Sequence, residues 1–246
     1  MSEASDAAAF AGRHVVVTGG AGALGSAVVR GVLAGGGVVS IPVADGTHDA
    51  ALRGLELELP LRVKVVHDID LSAEEATRRF YDEAVEAHGT PWAVVNSAGG
   101  FAMAELERSD LGALTELLRT NLVSCFLSCR EAVRRMRAAG GGRIVNVAAR
   151  PALEPRLGAK MTAYTASKAA VAGFTCALAE EVVGHGILVN AVAPSVMDTP
   201  ANRAAMPQAD FSTWARTEQV AATILFLASP GNSCTRGGIV PVYGRA

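Results

Sequence analysis

Lysine is nearly absent from this chain: of 22 basic residues only Lys64, Lys160 and Lys168 are lysines, so chemistry that needs an ammonium has three candidates. Long apolar runs are missing too, since none reaches the ~18 residues that a membrane-spanning helix needs. The start, MSEASDAAAFAGRH, lacks a basic segment followed by a long apolar stretch, so it does not read as a signal peptide. Neither sign of charge dominates; the net charge of −2 excludes a strong field drawing the chain to nucleic acid or acidic lipid. The four cysteines (Cys125, Cys129, Cys176, Cys234) have no CxxC spacing and the five histidines are scattered. No metal site is therefore expected, even though Cys125 and Cys129 share a helix face. The cysteines are expected to be small packing residues in a reducing compartment, and the chain to be cytoplasmic.

What is present is apolar residues, 50% against 19% charged, which excludes a disordered chain. A length of 246 residues suits one domain, 1–246. Apolar segments of strand length are His14–Thr18, Val38–Val43, Leu61–His67, Trp92–Asn96, Arg143–Val147, Ile187–Val192 and Gly238–Val242. Helical patterns at Ala23–Leu33, Ala73–His88, Asp110–Ala139, Thr162–Gly184 and Glu218–Ala228 lie between them. Strands apolar on both faces and separated by helices predict an α/β fold, a doubly wound parallel sheet covered on both sides. Three stretches are irregular: Pro42–Pro60, Pro151–Met161 and Val196–Arg216. Ligands of such sheets sit beyond the carboxyl ends of the strands, so the loops 151–161 and 196–216 are the expected substrate loops.

Two segments carry chemistry. Thr18–Gly25 (TGGAGALG) follows the first strand and opens a helix, and Gly20, Gly22 and Gly25 satisfy GxGxxG. Such a turn lets the backbone approach a pyrophosphate at a helix N-terminus. Tyr164-Thr165-Ala166-Ser167-Lys168 sets a phenol and an ammonium four apart, on one helix face. An ammonium beside a phenol favours phenolate and is expected to lower the tyrosine pKa from about 10 toward the range of an acid/base catalyst.

With these pieces, NSAG at 96–99, Asn121 and the NAVAPSVMDT run at 190–199, the chain resembles the short-chain dehydrogenase/reductase family over nearly its whole length. The resemblance implies a single Rossmann-type sheet of about seven strands and hydride transfer with a nicotinamide cofactor. It implies Tyr164 as acid/base, Lys168 holding the nicotinamide ribose and tuning the tyrosine, and Asn121 ordering a proton-relay water. Asn96, Ala98 and Gly99 would back the ribose side of the cofactor, Asp68 would contact the adenine and Thr199 the carboxamide. Gly19, Ala23, Leu24, Ile69, Pro194 and Val196 complete the expected cofactor contacts. Phe101, Ala149, Met206 and Trp214 are the expected substrate-facing residues. Family members are commonly dimers or tetramers. The small-residue helix 162–184 fits a two-fold partner of the same kind.

The departures are informative. The family serine at the end of the fifth strand falls on Ala149, within Ile144–Ala149 (IVNVAA), and Ser167 cannot replace it, because it lies on the opposite side of the tyrosine's turn. Segments 19–26 (GGAGALGS) and 198–214 (DTPANRAAMPQADFSTW) resemble quinonoid dihydropteridine reductase, which likewise carries alanine there. Three functions stand: reduction of a carbonyl, reduction of a quinonoid substrate, or nucleotide binding with non-redox catalysis or a scaffold role. At the end of the second strand Pro42 replaces the acid typical of NAD users, with Asp45 three residues on, and no Arg or Lys typical of NADP users appears. NADP or NAD is expected, with a lean to NADP because no acid at Pro42 repels a 2′-phosphate.

Overall fold

The computed structural model describes residues 9–44 and 49–245. Seven parallel strands form one sheet in the order β3-β2-β1-β4-β5-β6-β9. These are β1 (His14–Thr18), β2 (Val38–Pro42), β3 (Val63–Val66), β4 (Ala93–Asn96), β5 (Gly142–Val147), β6 (Ile187–Pro194) and β9 (Ile239–Val242). Val15, Val16 and Val17 of β1 are fully buried, as expected for a central strand covered on both faces. The expected seven-stranded, doubly wound architecture is observed. The strand order reverses at β1 and β4, which opens a crevice beyond their carboxyl ends.

Helices α1 (Ala23–Ala34) and α9 (Thr217–Ala228) pack together on one face, closing a core that includes Val28, Val32, Val220 and Ile224. On the other face lie α3 (Glu74–His88), α5 (Ser124–Ala139) and α7 (Thr162–Val182), enclosing Phe80, Tyr81, Met136, Val171 and Ile187. Several boundaries differ from the sequence expectation. The stretch 42–60 contains a helix, α2 (Asp49–Glu58). The expected helix 110–139 is interrupted: α4 (Leu111–Leu118), capped by Asp110, runs into a π-helical turn at Arg119–Val123 before α5 begins. The stretch 196–216 is built rather than irregular. A two-stranded parallel pair, β7 (Met197–Asp198) and β8 (Ala215–Arg216), ties its ends, and α8 (Pro200–Ala205) lies between.

Two buried polar features brace the sheet. His14 opens β1, with Nδ1 2.7 Å from the Gly89 carbonyl and Nε2 2.8 Å from Ser40 Oγ. The short contact to a carbonyl makes Nδ1 the protonated nitrogen, so Nε2 accepts from the serine hydroxyl. Burial lowers its pKa to about 4. The second feature crosses the α3/α5/α7 side. The Tyr81 hydroxyl meets Ser128, Ser128 donates to Asn96, Asn96 to Asn146, and Asn146 to Thr175, which donates to the Val171 carbonyl. Every member is satisfied, so the ladder fixes β4 and β5 against three helices without stranding a buried donor. Cys125 and Cys129 are buried here, as expected of packing residues, whereas Cys176 and Cys234 are exposed.

Candidate active site

The glycine turn between β1 and α1 is tighter than a GxGxxG reading implies. Gly19, with φ +67°, makes the sharp turn instead of Gly20, and a Cβ on it would lie 2.8 Å from the Ala98 backbone nitrogen. A side chain at Gly25 would collide with the Gly19 carbonyl, so these two glycines let α1 start directly above β1. Gly22 is the N-cap of α1 and supplies no side-chain cap, leaving the first amides of the helix free for an anion. They face a cavity of about 460 Å³ that runs from Gly19 and Gly22 past Pro42 and Val43 to Ile69 and Asp70, and ends at Ala98 and Gly99. Such a cradle fits a dinucleotide.

Of the expected cofactor residues, Gly19, Gly22, Ile69, Ala98 and Gly99 line this cavity. Asp68 does not: it is exposed with φ +57°, while Asp70, two residues on, reaches the cavity. Hydrogen bonds from Ser72, then the Arg119 charge, hold the Asp70 carboxyl below its ordinary range. Arg119 also pairs with Glu116, so the three charged groups of the cavity are engaged with one another. Sequence reasoning missed Asp70 and Arg119, since Asp68 and Asp70 flank Ile69 alike in the sequence. The Asn96 side chain is turned away from the cavity and spent on the core ladder, so only its backbone is free for a ligand. Thr199 Oγ1 accepts from the Asn202 amide as the N-cap of α8. Gly20, Ala23, Leu24, Pro194 and Val196 are not among the cavity's lining residues, and Asp45 lies outside the described residues. A second hollow, about 520 Å³ on the outer side of α3, is lined only by that helix's own residues, nearly all charged, and offers no such cradle.

At the inner end of the cavity two expected catalytic residues, Asn121 and Lys168, meet. A Cβ on Gly99 would lie 2.6 Å from Asn121 Oδ1 and 3.3 Å from Lys168 Nζ, so the absence of a side chain there lets the amide and the ammonium converge. Asn121 sits in the π-helical turn, where the widened backbone swings its side chain inward. Its Oδ1 accepts from the Gly100 amide at 2.8 Å and its Nδ2 donates to Ser167 Oγ at 2.9 Å. Lys168 Nζ donates to the Val147 carbonyl at the end of β5, 2.8 Å away, and burial lowers its pKa to about 8. Tyr164 lies one turn earlier on α7. Burial pushes its phenol up to about 12 by disfavouring the phenolate, the opposite direction from the lowering expected of Lys168. Ser167 is fully buried, with its hydroxyl donating to the Tyr164 carbonyl. It is therefore unavailable as a substitute donor.

Ala149 is buried at the N-cap of a short helix, α6 (Arg150–Leu153), with no side-chain cap. Phe101, from the loop after β4, packs edge-on against Tyr164 with ring centroids 5.0 Å apart. That loop is clasped to the one after β5: the Ala104 amide donates to the Lys160 carbonyl at 2.8 Å, and Lys160 Nζ pairs with Glu105 at 3.1 Å. Lys160 takes φ +63° to make this possible. The segment 198–214 folds on itself, with Arg203 paired to Asp198 and stacked on Phe211, which packs on Trp214. Trp214 is thereby buried, whereas Met206 is exposed.

A family model described as short chain dehydrogenase matches residues 13–210. The chain belongs to the short-chain dehydrogenase/reductase family. It is an NAD(P)-dependent oxidoreductase of that family. It is 36% identical to a cis-4-hydroxycyclohexanecarboxylate dehydrogenase of Sinomonas cyclohexanicum, covering 96% of this chain and 97% of that one. It is 31% identical to a 3-oxoacyl-(acyl-carrier-protein) reductase of Pseudomonas aeruginosa, covering 95% and 96%. A solved short chain dehydrogenase from Mycobacterium smegmatis superposes with a TM-score of 0.82 at 30% identity, over 96% of this chain and 93% of that one. Among the described residues no helix is long and apolar enough to cross a membrane.

Proposed function

We propose that the chain reduces a ketone on a small organic substrate to a secondary alcohol, with Tyr164 as proton donor. The observation that carries this is the convergence at Gly99. The glycine closes the inner end of the nucleotide cavity, and Asn121 and Lys168 approach it together. A nicotinamide nucleotide bound against the glycine turn supplies the hydride. Tyr164 stays protonated at neutral pH because burial raises its pKa, so it holds the proton that the developing alkoxide takes. Lys168, anchored on Val147, presents positive charge where the ribose hydroxyls and the phenolate need it. Asn121, fixed by Gly100 and Ser167, keeps the π-helical turn open beside the tyrosine. Pro42, Val43 and Ala44 line the cavity with neither acid nor base, which favours NADP slightly over NAD by removing repulsion from a 2′-phosphate. The loops 151–161 and 196–216 flank the substrate. The protein works in the cytoplasm as a homodimer or homotetramer, its contact the exposed small residues Ala166, Ala169, Gly173 and Ala177 of α7.

One observation favours a second reading, reduction of a quinonoid compound. Neither Ala149 nor Ser167 offers the substrate a hydroxyl, and an electron-poor quinonoid acceptor needs no oxyanion donor. The resemblance in 198–214 weighs less, because Asp198, Thr199, Arg203, Asp210, Phe211 and Trp214 all serve contacts within that segment. Both readings are tested by assaying wild type, Tyr164→Phe and Ala149→Ser with NADPH and NADH on a simple ketone and a quinonoid pterin. Loss of all turnover in Tyr164→Phe with nucleotide affinity kept is expected. A ketone rate raised by Ala149→Ser supports the first reading, since one oxyanion donor contributes about 2.7–4 kcal/mol elsewhere. Fast wild-type pterin turnover unaffected by the serine supports the second. Failure of wild type on every acceptor leaves a non-redox role.

A further inference from the structure

Three loops follow the adjacent strands β4, β5 and β6, and each projects large apolar side chains into solvent. Phe101 is 63% exposed and Met103 60%, both after β4; Leu153 and Leu157 follow β5, and Met206 lies beyond β6. Single exposed apolar residues are ordinary on a protein surface, but a set gathered from three loops at one end of a sheet marks a binding surface. Its location is fixed by one contact, the T-shaped packing of the Phe101 and Tyr164 rings with centroids 5.0 Å apart. Phe101 is therefore an exposed apolar ring beside the Tyr164 phenol, within reach of a carbonyl held at that hydroxyl. Two ion pairs lie on this wall, Lys160 with Glu105 and Arg150 with Glu154, and Arg156 beside Leu157 is exposed. The clasp between Ala104 and Lys160 holds the Phe101 loop to its neighbour, so the ring is presented on a braced loop.

We infer that the substrate is an apolar ring compound, alicyclic or aromatic, whose ketone lies on or beside the ring, and that Phe101 is the platform selecting it over acyclic keto esters and thioesters. This rests on the reading of Tyr164 as proton donor. A ring fits because it covers the Phe101 face while losing little rotational freedom, whereas a flexible acyl chain must be ordered to cover the same surface. Met103, Leu157 and Met206 then meet the far side of the ring, and the flexible methionines adapt to its outline.

The test uses 2-tetralone as the ring ketone and ethyl acetoacetate as the acyclic one. Wild type is expected to show at least tenfold higher kcat/KM on 2-tetralone. Phe101→Ala should raise KM for 2-tetralone about tenfold with kcat held within threefold, a loss in kcat/KM at least threefold greater than on ethyl acetoacetate; Phe101→Trp should restore the ring preference. Phe101 is exposed, so these substitutions leave the core intact. Binding is measured separately, by ligand-observed NMR of 2-tetralone with Tyr164→Phe protein. Phe101-dependent binding without wild-type turnover refutes the proton-donor reading and keeps the ring site. Absence of binding, a preference for the acyclic ester, or equal losses on both substrates in Phe101→Ala overturns the ring inference.

Discussion

Acid should unfold this protein in a window set by one histidine. His14 is buried with a pKa of about 4, against 6.5 for the free side chain. As pH falls the unfolded chain takes up this proton first, so stability contributed above pH 6.5 is lost on the way down to pH 4. Each unit is worth about 1.4 kcal/mol, so the full loss is roughly 3 kcal/mol, of which about 2.5 has gone by pH 4.5. The neighbouring His88, its ring 5.3 Å away, is also lowered by burial and acts in the same direction. The paired carboxylates Asp70, Asp198 and Asp210 are all held low, so their contribution falls away only below this window. Urea unfolding at pH 7.0, 5.5 and 4.5 reads the effect, with a melting temperature lower by roughly 5–10 °C at pH 4.5. His14→Gln should be less stable at pH 7 yet lose most of the slope between pH 7 and 4.5. A flat wild-type profile, or the same slope in the variant, refutes the assignment to His14.

Lys168 predicts a second pH effect: because burial sets its pKa near 8, reductive kcat/KM should fall as pH rises through about 8, and Lys168→Arg should move that fall upward. Lys168→Ala should weaken nucleotide binding as well as rate, read by nucleotide fluorescence titration. Gly99→Ala places a methyl against Asn121 Oδ1 and should lower kcat by about 100-fold through misplacement of the catalytic groups, with a small change in melting temperature; near-normal kcat would remove the convergence at Gly99 from the mechanism. Light scattering at micromolar concentration should give the mass of a dimer or tetramer, and a monomeric mass would defeat the proposed helix contact.

The sheet was legible because β1, β4, β5 and β6 are apolar on both faces, a pattern few alternatives share. The π-helical turn was not, because Arg-Thr-Asn-Leu-Val suits an ordinary helix; the side-chain bonds of Asn121 to Gly100 and Ser167 accompany the widened turn, and those partners are distant in sequence. Likewise Asp68 and Asp70 are equivalent on paper until Ile69 buries itself under β2 and turns Asp70 toward the cavity. Asn96 is a related case. Its motif position pointed to the nucleotide, but its side chain faces the helices behind the sheet, where Ser128 and Asn146 occupy it. The helix α2 was hidden by a stretch opening and closing on proline with two glycines inside it.

The buried ladder from Tyr81 to Thr175 separates this enzyme into two parts that can change independently. It binds the floor of the site, β4 and β5, to α3, α5 and α7 through buried side chains. The walls, by contrast, are loops carrying exposed apolar residues. Substitutions in the two parts should therefore add in their effects on stability. A lineage can exchange Phe101, Leu157 or Met206 to acquire a new substrate while its folding reserve stays where it was, stored beneath the catalytic groups.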